Sequence, residues 1–211
     1  MIRLKNIDKT YDGLIVLKDF SIDFREGKIT ALLGPSGCGK TTLLNIVSGL
    51  EGYESGTIEG LDDKTFSYIF QEDRLLPWAT VGGNLRFVLE TGYDEDAIEN
   101  ILDKYLEMVG LTEYRDYFPS QLSGGMKQRV AIARAFAYPS DILLMDEAFK
   151  GLDMELKATL IESFLALWEE DRRGVIIVTH DIDEAMDIAH DIFILGGRPL
   201  EIKEKKVGKN K

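Results

Sequence analysis

A glycine-rich run near the start of the chain has the residue types of a phosphate-binding loop. The letters GPSGCGKT at 34–41 fit the pattern G-x-x-x-x-G-K-[ST]. Glycines let the backbone turn tightly and direct its N–H groups toward phosphate oxygens, while a lysine adds charge and a threonine hydroxyl can bind Mg²⁺. An apolar strand before the loop and a helix after it disfavour a chance glycine-rich turn. The residues predicted to contact a nucleotide here are consecutive: Gly34, Pro35, Ser36, Gly37, Cys38, Gly39, Lys40, Thr41 and Thr42.

Two adjacent carboxylates end the apolar run DILLMDE at 141–147. Asp146 is placed to hold Mg²⁺ opposite Thr41, and Glu147 can act as general base toward an attacking water. Adjacent acids at the end of a strand are common and are weak evidence alone. The phosphate loop upstream is what makes this pair a strong indication of a catalytic site. Together the two motifs predict hydrolysis of a nucleotide phosphate.

Two further polar residues follow strand-like runs. Gln71 comes after FSYIF and His180 after VIIVT. Ligands of open parallel sheets gather beyond the carboxyl ends of the strands, so both side chains could reach a γ-phosphate. A single histidine after a strand is more often a capping or surface residue, and only the other motifs favour a catalytic role. The predicted catalytic residues are Glu147, His180 and Gln71, and the predicted metal ligands are Thr41, Gln71 and Asp146.

A second candidate anion site lies in the run LSGGMKQR at 122–129. Ser123, Gly124 and Gly125 open a helix of small and apolar residues, VAIARAFA. A serine and two glycines at a helix N-terminus offer free N–H groups without side-chain obstruction. One chain therefore carries two phosphate-binding devices.

The elements that must position these residues alternate between strands and helices. This alternation indicates a parallel α/β core, into which a helix-rich stretch near 75–135 is inserted. The predicted strands lie within residues 1–33 and 57–70 and at 142–146, 175–179 and 192–195. The strand at 192–195 is predicted to be the last one in the chain. The predicted helices lie at 40–50, within 94–110, from Ser123 onward, at 154–170, and in a short segment capped by Asp181.

Composition narrows the functional classes. The formal net charge of −12 disfavours nucleic acid as a partner, because phosphate contacts rely on Lys and Arg. A single cysteine excludes an intramolecular disulfide, and no apolar run is long enough to span a bilayer. With no signal-like N-terminus, we expect a cytoplasmic protein that reaches the membrane through a partner. The Lys-rich tail at 203–211 is expected to be solvated and frayed, with contact to acidic lipid headgroups as the alternative.

Taken in order along the chain, these motifs resemble those of the ABC ATPase family. The resemblance covers nearly the whole chain, and its features are an aromatic at Tyr11, the loop 34–41, Gln71, the signature 122–126, the acidic pair 146–147, the turn 151–153 and His180. It implies an α/β fold, a P-loop NTPase with a RecA-like core, an N-terminal antiparallel β-subdomain and an inserted α-helical subdomain. The single domain 1–211 would divide into core and β-subdomain (1–74 and 136–211) and helical subdomain (75–135).

The resemblance also implies a head-to-tail dimer of two copies with two ATP molecules in the interface. The loop 34–41 of one copy and the signature residues Ser123, Gly124, Gly125 and Met126 of the other would hold each γ-phosphate, with Mg²⁺. Tyr11 would stack on adenine, and Asp153 would couple the two sites. His180 would orient the water for Glu147, and Gln71 would sense Mg²⁺ and couple to a membrane partner.

Two positions depart from the family pattern. Met126 stands where many members have glutamine, which leaves the serine and glycines of the signature intact. Lys150 stands in the turn before Asp153, where a small residue is more usual. At the dimer interface, Lys150 would alter the rate of opening.

The run QEDRLLPWATVGGN at 71–84 resembles the nitrate, sulfonate and taurine importers of the family. Leu75, Leu76 and Trp78 would either receive a helix of a membrane subunit or pack inside the helical subdomain. The expected partners are permease subunits and, indirectly, a substrate-binding protein, with the chain peripheral on the cytoplasmic face of the membrane. Because the given sequence ends soon after residue 200, we expect it to lack the C-terminal regulatory domain found on many sugar importers of the family. A soluble ATPase acting on DNA or ribosomes and a non-hydrolysing ATP-gated module are the competing hypotheses.

Overall fold

The computed structural model describes residues 1–90 and 92–209 and divides the chain into two units. The first, here called the core unit, comprises Met1–Phe66, Asp141–Ala148 and the described residues from Arg172 onward. The second, the helical unit, comprises Ser67–Ser140 and Phe149–Asp171. The segment expected to be helical, 75–135, lies inside the second unit, which also takes in the later stretch from Phe149.

An antiparallel sheet opens the core unit. Its strands are β1 (Ile2–Tyr11), β2 (Leu14–Phe24) and β4 (Ser55–Glu59), in the order β2-β1-β4. Strand β1 alternates buried and exposed positions early in its length, as expected for a sheet with one covered face. Asp12 and Gly13 make the tight turn into β2, both with positive φ, which suits a two-residue hairpin.

The second sheet of the core unit is mainly parallel. It contains β3 (Ile29–Leu33), β6 (Ile142–Asp146), β7 (Gly174–Thr179), β8 (Asp191–Gly196) and β9 (Glu201–Val207), in the order β6-β7-β3-β8-β9. All residues of β3 and β6 are buried, which is typical of parallel strands covered on both faces. Helix α1 (Lys40–Val47) follows β3, and α6 (Ile182–Ile188) follows β7. The carboxyl ends of β3, β6 and β7 therefore carry the phosphate loop, the acidic pair and His180.

The end of the chain corrects the expectation of a frayed tail. Strand β9 pairs antiparallel with β8, from Gly196 opposite Glu201 to Asp191 opposite Val207. The strand at 192–195 is therefore not the last, and residues 203–207 of the Lys-rich tail belong to the sheet. Gly208 and Lys209 follow with backbone hydrogen bonds to the carbonyls of His190 and Met186. The remaining part of the predicted tail, 210–211, lies outside the described residues.

The described residues of the helical unit form four helices. They are α2 (Val81–Arg86), α3 (Glu95–Met108), α4 (Gly124–Ala137) and α5 (Met154–Asp171), with short 3-10 turns at Thr112–Tyr114 and Pro119–Gln121. Strand β5 (Phe66–Ile69) leads into this unit. Helix α2 had no counterpart among the predicted elements, because its sequence VGGN contains two poor helix formers. Helix α1 ends at Val47, earlier than predicted, and Gly49 follows with φ +75°.

Aromatic packing and ion pairs hold the helical unit together. Phe164 of α5 meets Phe136 of α4 edge to face at 5.8 Å between ring centroids, and Phe149 at 6.0 Å. On the surface, Arg115 bridges Glu99 and Asp103 of α3. Buried aromatic contacts dominate the energetics of such a unit, since exposed ion pairs contribute little.

Candidate functional site

The phosphate loop turns so tightly that two of its glycines have no room for a side chain. A Cβ on Gly34 would lie 2.6 Å from the carbonyl oxygen of Leu195. Gly39 has φ +117°, and a Cβ there would lie 2.8 Å from a methyl carbon of Val16. Both positions thus require glycine, one for space and the other for conformation and space. Gly39 is also the N-cap of α1, so the loop leads directly into a helix N-terminus.

Lys40 is folded back over this loop. Its ammonium donates to the carbonyl oxygens of Gly34 at 2.8 Å and Pro35 at 2.9 Å, and its side chain is buried. Cys38 is also buried, with its sulfur 4.0 Å from the same ammonium. Residues 35–37 are exposed. The loop therefore presents backbone groups outward and keeps its lysine charge at its centre.

Thr41 and Asp146 meet across the start of α1 and the end of β6. The Thr41 hydroxyl donates to the Asp146 carboxylate at 2.8 Å, although the two residues are far apart in the sequence. Two oxygen ligands converging beside a phosphate loop suit Mg²⁺, which also takes phosphate oxygens and water. Among residues 1–90 and 92–209 no group of three or more His, Cys, Asp or Glu side chains could hold a metal. The Thr41 hydroxyl and the Asp146 carboxylate could hold a magnesium ion together with the phosphate oxygens of a nucleotide.

Glu147 and His180 face each other at the ends of neighbouring strands. The Nδ1 atom of His180 lies 3.8 Å from Oε1 of Glu147. Glu147 is almost fully buried, whereas the His180 side chain is 55% exposed. A backbone hydrogen bond from Glu147 to the carbonyl of Val178, at 2.9 Å, fixes the turn that leaves β6. This places a carboxylate and an imidazole in reach of one water molecule.

Tyr11 ends strand β1 with its ring partly exposed. Lys9 lies over this ring, 4.6 Å from the centroid, and pairs with Glu51 at 2.7 Å. A ring with one face exposed can stack on a base. Tyr11 belongs to the core unit, as do the phosphate loop, the acidic pair and His180.

Two residues touching the phosphate loop were not predicted from the sequence. A methyl group of Val16 occupies the space beside Gly39, and Arg198 donates to the Gly37 carbonyl at 2.8 Å. Both come from elements distant along the chain, β2 and the turn after β8. No local motif marks them, since their proximity to the loop arises only from the fold.

In the helical unit the signature opens α4 as expected from the sequence. Ser123 is the N-cap, and its hydroxyl accepts from the Met126 N–H at 3.3 Å. Ser123 and Gly124 are exposed, whereas Gly125 is buried. A Cβ on Gly125 would lie 2.3 Å from a methyl carbon of Leu156, so glycine is required there by packing. The exposed serine and first glycine leave the helix N-terminus open to an anion.

The remaining predicted site residues also lie in the helical unit. Gln71 and Lys150 are exposed. Asp153 is exposed as well, and its carboxylate accepts from the Leu156 N–H at 2.9 Å, which makes it a cap for α5. Asp153 therefore has a structural role as a helix cap, in addition to the coupling role that was predicted for it. Because these residues belong to a different unit, their roles remain predictions from the sequence.

Apolar side chains are exposed around α2. Trp78 is 74% exposed and Phe87 60% exposed. Leu75 and Leu76 are half-buried, whereas Trp78 is exposed. The three apolar residues that were predicted to act together therefore differ in their burial. Phe118 is exposed too. The carbonyl of the preceding residue, Tyr117, accepts a hydrogen bond from the Val81 N–H at 2.8 Å, which links this segment to the start of α2. No helix in the described ranges is long and apolar enough to cross a membrane.

Comparison with known proteins places this geometry in a family. Residues 17–150 match the family described as ABC transporter. The aliphatic sulfonates import ATP-binding protein of Pseudomonas savastanoi pv. phaseolicola is 39% identical over 197 residues, 93% of this chain and 81% of that protein. The sulfate/thiosulfate import ATP-binding protein of Acinetobacter baylyi is 39% identical over 225 residues, covering 97% of this chain and 64% of that protein.

A solved structure agrees with these sequence relatives. It is a dimeric, post-hydrolysis ATP-binding cassette bound to ADP and phosphate, and it matches all of both chains with a TM-score of 0.86 and 30% sequence identity. This match and the two import proteins agree with the family that the sequence motifs resemble. The chain belongs to the ABC transporter family.

Proposed function

We propose that this chain binds and hydrolyses ATP as the motor subunit of an importer of small anions or small organic solutes. One observation carries the proposal. Beside the phosphate loop, a magnesium-type pair (Thr41 and Asp146) lies in the same unit as a base–imidazole pair (Glu147 and His180). Binding alone would need only the first pair. The second gives the site a means to activate water.

Nucleotide binding would begin at the loop. Backbone N–H groups of 34–41 and the N-terminus of α1 would hold the β- and γ-phosphates, and Lys40 would exchange its carbonyl acceptors for phosphate oxygens. Thr41 and Asp146 would hold Mg²⁺, which when bound neutralises charge developing on the phosphate oxygens. Tyr11 would stack on adenine.

Hydrolysis would then use the pair at the strand ends. Glu147 would take a proton from a water whose oxygen bonds to the γ-phosphorus. The bond from that phosphorus to the bridging oxygen would break, and the products are ADP and inorganic phosphate. His180 would hold the water and the γ-phosphate in line. Its exposed side chain fits a role completed by further contacts at a dimer interface.

The second anion site is explained by a second copy of the chain. The open N-terminus of α4, with Ser123 and Gly124 exposed, would meet the γ-phosphate held by the loop of the partner subunit. The solved relative described above is a dimer with hydrolysis products bound. We infer a head-to-tail dimer with two ATP molecules, in which Asp153 and Gln71 would carry the coupling roles predicted for them.

Transport would require membrane subunits, since this chain lacks a spanning helix in its described part. The exposed Trp78 and Phe87 offer an apolar surface for a permease segment, which would hold the chain at the cytoplasmic face of the membrane. The named relatives import sulfonates and sulfate or thiosulfate. A small oxyanion, delivered by a substrate-binding protein, is accordingly the solute we infer.

Phosphate release from the full chain with MgATP tests the enzymatic part of this proposal. Glu147→Gln should lower turnover at least about 100-fold, because the general base is lost, while ATP affinity stays within about twofold. Glu113→Gln, an exposed position in the helical unit, is the matched control and should keep wild-type turnover. Wild-type turnover in Glu147→Gln would refute the role given to this carboxylate.

A further inference from the structure

The turn between β8 and β9, residues 197–200, lies against the phosphate loop. A Cβ on Gly39 would lie 3.8 Å from two side-chain carbons of Leu200. The guanidinium of Arg198 donates to the Gly37 carbonyl at 2.8 Å, across a separation of 161 residues in the sequence. The loop is therefore contacted by a segment that lies far outside its own sequence motif.

This turn has a fixed position in the core unit. Strands β8 and β9 pair on either side of it, with Gly196 opposite Glu201. The N–H of Leu200 donates to the carbonyl of Val16 in β2 at 2.8 Å, so the turn is also joined to the antiparallel sheet. A side chain that starts from this turn can hold the loop, because both sheets hold the backbone of the turn.

Arg198 lies directly over Gly37. A Cβ on Gly37 would be 3.0 Å from Nη2 of the guanidinium. The nearby cation Lys203 pairs with Glu201 of its own strand, whereas Arg198 donates to the backbone of the loop. The contact gives one carbonyl of the loop a charged donor, and charged donors make the stronger hydrogen bonds.

The peptide group that joins Gly37 to Cys38 is the part of the loop that this contact orients. Gly37 has φ +73°, and glycine adopts other φ values as readily, so the residue itself fixes this peptide only weakly. The carbonyl and the N–H of a trans peptide point to opposite sides of the chain. When Arg198 holds the Gly37 carbonyl, the Cys38 N–H is therefore directed away from the guanidinium.

The Cys38 N–H points to the same oxygen atom as the Lys40 ammonium. The Cys38 nitrogen lies 3.4 Å from the Pro35 carbonyl oxygen, to which Lys40 donates at 2.9 Å. A distance of 3.4 Å is long for an N–H···O hydrogen bond, so the Cys38 N–H is only weakly engaged. A phosphate oxygen is a stronger acceptor because it is charged. Both donors are thus placed for one phosphate group.

We propose that Arg198 is a positioning residue for nucleotide binding, an inference that rests on the proposed function. By holding the Gly37 carbonyl, it keeps the Cys38 N–H directed toward the phosphates. Without Arg198 the peptide would also adopt the reverse orientation, in which the carbonyl oxygen faces the phosphates and repels them. Glu147 and His180 lie on other elements, so Arg198 should set the affinity for the nucleotide and leave bond breaking unchanged.

Steady-state kinetics of the full chain with MgATP measure this effect. Arg198→Met keeps the apolar stem but has no donor, and it should raise KM for MgATP and the dissociation constant of MgADP at least about fivefold. The kcat should stay within about twofold of wild type, a result that a mere loss of folded protein would not produce. Arg198→Lys retains a donor and should recover the affinity to within about twofold.

Lys203→Met is the matched control, because it removes a cation near the same turn that pairs with Glu201 and not with the loop. It should change KM and the dissociation constant by less than about twofold. Salt separates a hydrogen bond from attraction through charge alone, because salt screens exposed charges. The difference between Arg198→Met and wild type should persist at about 0.5 M NaCl, and its disappearance would overturn the proposed contact.

Cys38 allows the peptide to be observed directly, because it is the one cysteine of the chain. Labelling with ¹⁵N-cysteine gives a single backbone amide signal in an NMR spectrum. Without nucleotide, wild type and Arg198→Lys should each show one sharp signal. In Arg198→Met the signal should broaden or double, because the peptide adopts two orientations.

The two measurements separate this inference from the proposed function. Unchanged affinity or an unchanged Cys38 signal in Arg198→Met would overturn the inference, while ATP hydrolysis by wild type would still support the proposed function. A wild type that neither binds MgADP nor hydrolyses ATP would overturn the proposed function. The Cys38 signal without nucleotide would then still show whether Arg198 holds the peptide.

Discussion

Glu147 occupies a strained backbone position at the residue where the chemistry is proposed. Its φ is +50°, in the left-handed region that residues other than Gly, Asn and Asp seldom adopt. The backbone bond to Val178 and the buried strand before it hold this conformation. Strain of about 1–3 kcal/mol persists only where surrounding structure imposes it, and it concentrates at active sites. With this backbone conformation, Oε1 of the carboxylate lies 3.8 Å from Nδ1 of His180.

His190 gives a prediction at the same scale. Its Nδ1 accepts from the Ile29 N–H at 3.1 Å, so the buried ring is neutral and its proton is on Nε2. Because its pKa is lowered below 6.5 in the folded state, the unfolded chain takes up a proton first as pH falls. We expect His190 to make the free energy of unfolding decrease below about pH 6.5.

The variant His190→Asn tests that expectation, since asparagine keeps an acceptor for the Ile29 N–H but does not titrate. Urea unfolding between pH 7.5 and 5 should show a weaker loss of stability in the variant than in wild type. Parallel pH profiles for the two proteins would contradict the assignment.

Much of the candidate site at residue scale could be predicted from the sequence. The loop 34–41, Asp146, Glu147 and His180 were assigned because short motifs and strand ends mark them, and the core unit holds all of them. Val16 and Arg198 were missed, since each reaches the loop from a distant segment. A sequence pattern reports local spacing, whereas these two contacts depend on the order of strands in space.

At the scale of elements, strand β9 was not predicted, because its residues are mostly charged. Its residues EIKEKKV are almost all exposed, so neither face has the apolar alternation that predicts a strand. The strand forms because its backbone pairs with β8 at the edge of the sheet. By contrast, β6 was predicted with its observed bounds, because five consecutive buried positions leave a clear apolar run.

Deleting β9 should therefore lower the stability and the solubility of the protein. A chain ending at Leu200 would leave the backbone groups of β8 unpaired at an exposed edge, which favours aggregation. We expect a loss of about 2–4 kcal/mol in the free energy of unfolding, measured by urea titration.

A chain ending at Lys209 is the control for this deletion. It keeps β9 and its pairing with β8, and it should unfold like wild type. If the chain ending at Leu200 matched this control in stability and solubility, the frayed tail expected from the sequence would be the better description.

For the whole molecule, the predicted site motifs are divided between the two units. The phosphate loop, acidic pair and His180 lie in the core unit, and the signature lies in the helical unit. The order of motifs along the chain was enough to predict the family. The division of the chain was harder to predict, because the stretch from Phe149 through α5 follows a core strand in sequence but belongs to the helical unit.

The mass of Glu147→Gln in solution, measured by light scattering after gel filtration, shows whether ATP joins two copies of the chain. With ATP the variant should change from 23.8 kDa to twice that mass, since ATP stays bound between the loop of one copy and the signature of the other. Adding Ser123→Arg should block the shift while leaving ATP binding to the loop intact. An ATP-bound monomer, or equal dimerisation with Ser123→Arg, would contradict the composite site.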